Sequence, residues 1–387
     1  MPKRFMLKKQ LGQFFTINAD YILQGLADFI KDKKVMDPFA GNGDLLDWAL
    51  KNNAQKVIGF DYDKKLVDGK KIFLNDSLNN YKEYQEYQFV IANPPYLHKN
   101  KANQEIKEKF FSGQHRIFED LYQISVFEMM KNEEGILIVP LNFLSASNSQ
   151  RIRDLFFEKF EIVKLNIFLE RVFTDTTYNV IAFYFRKKKN NVGKNAISAV
   201  VFPENKKIDF HLEKKFGWQL GGDFLLKIKS AENKLGVGRL TEGDFRGGSF
   251  QARIAVQNIK EPQEAFIDKK FKNFLKSNIL FLRAIDSKGG KKICLEDIRN
   301  YGLDGLVGKS TSRNMAHLIF GKPLTIEQQK TLMERFNGIL NENREKYFSF
   351  FLTNFRDNGR KRISFNFVYK FLNYIYEQEN AKQPSLF

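Results

Sequence analysis

"KVMDPFAGNGDLLDWAL", residues 34–50, decides the fold. A short apolar run closes at Asp37, and glycines 41 and 43 follow, where a chain can turn tightly and a ligand can approach its backbone. Leu45, Leu46, Trp48, Ala49 and Leu50 then recur at helical spacing. The same rhythm continues in "KVIGFD" ending at Asp61, "KIFLND" at Asp76, "QFVIAN" at Asn93, "GILIVP" at Pro140 and "YNVIAFYFRK" at Lys187. Helical patterns at residues 120–131 and 147–160 separate the later strands. Alternation of this kind predicts an α/β fold with a mainly parallel sheet covered by helices on both faces. Ligands of such sheets lie beyond the carboxyl ends of the strands, where Asp37, Asp61, Asp76 and Asn93 all fall. Each alone also reads as a helix cap or turn former; four in series point to one rim.

Asp61 stands twenty residues after Gly41, a spacing that lets a carboxylate accept both hydroxyls of a ribose. A nucleoside cofactor fits. A dinucleotide stays open, although Leu46 occupies the place of the third glycine of G-x-G-x-x-G. In "IANPPYLHK", residues 91–99, Pro94 and Pro95 remove two backbone donors and stiffen the chain as it leaves a strand. An isolated Asn-Pro-Pro also serves merely to stop a strand.

The 387 residues suffice for two cores, and their net charge is +18. From Arg186 onward there are 38 Lys+Arg against 21 Asp+Glu, and before it 25 against 24. A polyanion-binding region appended to a near-neutral domain is charged in this way; a lysine-rich soluble surface is the bland alternative. The run "RKKKNNVGKN" (186–195) reads as linker or loop, so the expected domains are 1–189 and 190–387, the second of mixed α+β type. Cys294 is the only cysteine and the four histidines are scattered, so neither a disulfide framework nor a metal site is expected. No apolar run approaches 18 residues, and a cytoplasmic protein without membrane contact is expected.

The set "LGQFFT" (11–16), "DPFAGNG" (37–43), "FD" (60–61), "ND" (75–76), "NPPY" (93–96), "DLY" (120–122) and "GILIVP" (135–140) resembles the N6-adenine DNA methyltransferases of type II restriction-modification systems. It is similar to the group whose cofactor motifs come first and whose target-recognition domain follows. The resemblance covers roughly residues 11–187. It implies a Rossmann-like domain using S-adenosylmethionine. Phe15 and Thr16 would approach the methionine part, and Asp37 its amino group. Gly41 and Gly43 would give close backbone passage, Asp61 would hold the ribose, and Asp76 the adenine amine of the cofactor. Asn93 and the Pro94 carbonyl would accept hydrogen bonds from the target amine, with Pro95 stiffening the turn. Tyr96 would stack on a base flipped out of duplex DNA, with Phe173, or else Tyr178, on its other face.

In the basic half, "SKGGKK" (287–292), "GKSTSRN" (308–314) and "NGRKRISF" (358–365) suit phosphate contacts. Gln251, Arg253, Gln257 and Arg283 have side chains able to read base edges. The expected partner is double-stranded DNA, with a cognate restriction endonuclease acting separately and the chain itself a monomer. RNA adenine, N4-cytosine and protein-glutamine methylation are rival readings of the same Asn-Pro-Pro-Tyr chemistry.

Overall fold

A computed structural model of the chain describes residues 12, 15–173, 179–190, 192–355 and 357–382. They fall into two units, Met1–Leu220 and Gly221–Phe387. The first holds β1 (Lys34–Asp37), β2 (Lys56–Asp61), β3 (Ile72–Leu74), β4 (Phe89–Ala92), β5 (Glu134–Pro140), β6 (Phe160–Phe168), β7 (Val180–Lys187), β8 (Lys194–Phe202) and β9 (Lys206–Glu213). One sheet takes all nine in the order β3-β2-β1-β4-β5-β7-β6-β8-β9. Pairing is parallel from β3 to β5, while β7 runs antiparallel to both β5 and β6. The expected Rossmann-like α/β sheet is present. Its strand order reverses between β1 and β4, the place where such sheets bind ligands.

The central strands are apolar runs because both faces are covered: Val35, Met36, residues 89–92 and residues 136–139 are all buried. The helix Leu121–Met129 is itself buried nearly all round, its polar Gln123, Ser125 and Glu128 included. At residue 160 the structure departs from the sequence pattern, the helix Gln150–Lys159 turning directly into β6. Glu161, Lys164 and Asn166 hide that strand's apolar pattern, yet Asn166 is buried, donating to the carbonyls of Ile22 and Gln24 at 3.1 and 3.0 Å.

The expected boundary at 189/190 falls inside this sheet, and the division lies at Leu220/Gly221. The lysine run is only the β7–β8 connection, where the Lys188 ammonium sits 4.5 Å over the Trp218 ring. Residues 1–220 therefore carry 34 Lys+Arg against 27 Asp+Glu, and 221–387 carry 29 against 18. The charge asymmetry is milder than the first division implied.

The second unit is α+β. Its strands are β10 (Gly238–Arg239), β11 (Gly247–Val256), β12 (Pro262–Ile267), β13 (Leu280–Arg283), β14 (Cys294–Asp297), β15 (Gly305–Val307), β16 (Met315–Ile319), β17 (Thr353–Phe355) and β18 (Asp357–Arg362). They form sheets β10-β16-β13-β14, β12-β11-β15 and β17-β18. The helices Ile326–Lys346 and Phe365–Lys382 pack Phe336, Leu340, Phe371 and Leu372 into its core. Among the described residues no helix is long and apolar enough to cross a membrane.

Candidate active site

Asp37 closes β1 and is fully buried. Its Oδ1 accepts from the Phe39 N–H at 2.9 Å, but Oδ2 has no partner among the described residues. Burial pushes its carboxyl well above the ordinary range, and the nearby Asp61 adds to this. Asp61 closes β2, with Oδ2 accepting from Gly41 N–H at 2.9 Å and Oδ1 from Asp63 N–H at 2.8 Å. Burial raises its carboxyl too, against those backbone donors. Gly41 has φ 56°, and a Cβ there would come within 3.1 Å of the Phe15 ring. Only glycine keeps both the turn and the space.

A cleft of about 660 Å³ lies against these residues, its wall including Phe15, Phe39, Gly41, Asp61, Asp76, Asn93 and Pro95. A smaller recess of about 230 Å³ shares Phe15, Phe39, Gly41 and Asn93 and adds Thr16, Asp37 and Asp44. Seven of the eight expected cofactor residues thus converge. Gly43, with φ 87°, lines neither cavity and instead starts the helix Asp44–Lys51. Asp76 is engaged by Lys109 at 3.1 Å.

Asn93 follows β4 directly. Its Nδ2 donates to Thr16 Oγ1 at 3.0 Å, tying the "LGQFFT" segment to the Asn-Pro-Pro-Tyr turn. The Tyr96 hydroxyl lies 2.6 Å from Asn93 Oδ1 and 2.8 Å from the Ile138 carbonyl, so one proton has two acceptors. Tyr96 N–H also donates to the Gly12 carbonyl at 2.9 Å. Gly12 has φ 64°, and a Cβ there would stand 2.8 Å from the Tyr96 backbone. Pro94 is buried and Pro95 half-buried. Both expected stacking rings, Tyr96 and Phe173, are buried in this structure. Tyr178 lies outside the described residues.

The "DLY" segment braces the turn from behind. Asp120 Oδ1 accepts from the N–H groups of Leu97 and Tyr122 at 3.1 and 3.3 Å, and Leu121 N–H donates to the Leu97 carbonyl. Burial, opposed by those donors, pushes the Asp120 carboxyl up to about 7. Tyr122 meets the Tyr96 ring edge-on, centroids 6.4 Å apart.

Sequence reading missed Tyr62 and Phe110, which complete the cleft's aromatic wall, and Lys109, whose Nζ is 2.9 Å from the Tyr62 hydroxyl. Tyr62 was within reach, standing next to Asp61. The short helix Gln104–Phe110 has no strong periodicity to announce it. In the second unit Gln251, Arg253 and Gln257 are exposed, but Arg283 is not free to read bases. It is buried in an ion pair with Glu296 at 3.1 Å, a correction to its expected place.

Residues 2–173 match the Eco57I restriction-modification methylase family. The resemblance to restriction-modification DNA methyltransferases is thereby borne out. Two type II methyltransferases of Haemophilus influenzae, M.HincII and M.HindII, are each 26% identical over 203 residues. Those matches cover 49% of this chain but only 40% and 39% of the relatives' own lengths. Among solved structures, the methyltransferase subunit of a type I restriction-modification system from Streptococcus thermophilus is 16% identical, each chain covered to 53%, with a TM-score of 0.37.

Proposed function

We propose that the chain methylates the N6 amine of adenine in double-stranded DNA, using S-adenosylmethionine and a target base flipped from the duplex. The carrying observation is Asn93, held between Thr16 and Tyr96 in the wall of the cleft that Asp61 and Asp76 share.

The residues fit such a cofactor. The unpartnered, buried Asp37 Oδ2 is an acceptor that an ammonium group would satisfy. Each Asp61 oxygen takes one N–H and keeps a lone pair for a ribose hydroxyl. Phe15, Tyr62 and Phe110 offer apolar walls to a purine, with Asp76 at its edge once shared with Lys109. Bound there, the sulfonium supplies an electrophilic methyl group.

Adenine's exocyclic amine is a weak nucleophile because its lone pair is delocalised into the ring. Acceptors held against its two hydrogens localise that pair. With the Tyr96 hydroxyl turned to the Ile138 carbonyl, Asn93 Oδ1 serves as one acceptor and the Pro94 carbonyl as the other. The prolines and the Asp120 brace hold both in place, so alignment is set before the base arrives. Tyr96 and Phe173 would stack on the flipped base, which requires their buried faces to be uncovered as it enters.

The test is incubation with tritiated S-adenosylmethionine and, separately, unmethylated duplex DNA, total RNA and denatured protein, followed by digestion and identification of the labelled product. Label in N6-methyldeoxyadenosine is expected. Label in N4-methylcytosine, RNA or protein overturns the adenine-DNA reading.

A further inference from the structure

The second unit contains a separate open cleft of about 970 Å³, lined by Arg239, Ser310, Ser312, Arg313, Arg362 and Ser364 among others. We infer that it grips the phosphodiester backbone of duplex DNA; the inference rests on the DNA reading above and locates part of the surface that holds the substrate.

Three arginines from three separate elements line one opening, and among the described residues no carboxylate lines it. Among the described residues none of the three is paired with an acid. Like charges gathered without ion-pair partners of their own raise a local positive potential that a polyanion relieves. Arg239 also shapes the site. Its two terminal nitrogens donate to the carbonyls of Ser310 and Ser312, and its guanidinium lies 4.7 Å over the Phe365 ring. That contact fixes the 310–312 loop with its hydroxyls at the opening, although Ser310 Oγ is turned to Glu242 at 3.1 Å. Arg313 is exposed and Arg362 half-exposed, so their planar forks remain for phosphate oxygens.

A backbone phosphate suits the site better than a free nucleotide. The cleft is open, and its one aromatic ring among the described residues, Phe365, already carries the Arg239 guanidinium on a face where a base would otherwise stack.

The test uses the full chain with Arg313→Gln and Arg362→Gln combined, sparing Arg239 for its part in the loop. Binding to fluorescent duplexes of unrelated sequence is followed across salt concentrations. The variant is expected to bind all of them at least tenfold more weakly at about 0.1 M salt, with the slope of log K against log salt shallower by about 2, near 0.9 for each lost phosphate contact. S-adenosylmethionine binding and melting temperature are expected to stay unchanged, and Arg→Lys at both positions to restore the slope. A wild-type protein that binds duplex while the Gln variant keeps its slope overturns the clamp alone. Competition by inorganic phosphate at constant ionic strength, with that slope unaltered, assigns the cleft to a free anion instead and also overturns it. A wild-type protein that binds no duplex overturns the clamp and the DNA reading together.

Discussion

Asn93 ties its own turn to Thr16 through Nδ2 and accepts from the Tyr96 hydroxyl, within that turn, through Oδ1. Because Tyr96 has the Ile138 carbonyl as a second acceptor, losing the Asn93 amide need not orphan the hydroxyl. Asn93→Ala is therefore expected to fold and to bind S-adenosylmethionine within a few-fold of wild type, while methyl transfer falls by about 10² to 10³ or more. Calorimetry and single-turnover labelling check the two halves, and appreciable residual transfer removes Asn93 from the chemistry. Asp120 acts one layer behind. Its carboxyl titrates near 7 when folded against about 3.9 when unfolded, so between those values the folded chain holds the extra proton. Its contribution to stability is then present at low pH and lost as pH rises from about 4 to about 7. Asp120→Asn keeps an acceptor for Leu97 N–H without the charge. Urea unfolding should show the variant gaining on wild type more at pH 8 than at pH 5, and an equal difference at both would refute the assignment.

At the scale of elements, the second unit depends on a buried junction after β13. Asp286 grips Arg344 of the helix Ile326–Lys346 with both oxygens, at 2.9 and 2.8 Å. It also accepts from the Ile293 and Lys361 N–H groups at 2.9 and 3.0 Å, so one carboxylate joins a helix, a loop and β18. Asp286 is 2% exposed and Arg344 9%, so water cannot replace the pair. Asp286→Ala leaves a buried guanidinium uncompensated and is expected to destabilise the unit by about 3–5 kcal/mol. Pairing it with Arg344→Met should recover part of that loss. Denaturant unfolding measures both, and a single-variant cost under about 1 kcal/mol would show the junction to be dispensable.

For the whole molecule, the position of the division has a direct consequence. Cutting after Lys189 removes β8, which pairs with β6 from Lys164–Ser198 to Phe168–Phe202, and strips Phe202 from a stack on Phe168 at 4.9 Å. It also removes Trp218, stacked on Phe157 at 5.0 Å. A fragment of residues 1–220 is expected to unfold cooperatively and bind S-adenosylmethionine. A fragment of residues 1–189 is expected to aggregate, since it exposes an unpaired apolar strand edge. Circular dichroism melts distinguish them, and equal behaviour would restore the earlier boundary.

The sequence by itself determined the alternating strands of the cofactor half and the rim residues Asp37, Asp61, Asp76 and Asn93. Doubly covered strands must be continuously apolar, and the polar residues that end them stand out against that background. It did not disclose β6, whose Asn166 and Lys164 look like solvent-facing residues until the carbonyls of residues 22, 24 and 25 are brought to them by the fold. Nor did it place the boundary, because a lysine run reads alike as linker or as a turn beside a tryptophan. Tertiary structure alone turned Arg283 inward to Glu296, brought Lys109 to Asp76, and gathered Arg239, Arg313 and Arg362 around one opening. In each case the deciding partner lies far along the chain, and local periodicity carries no information about such contacts.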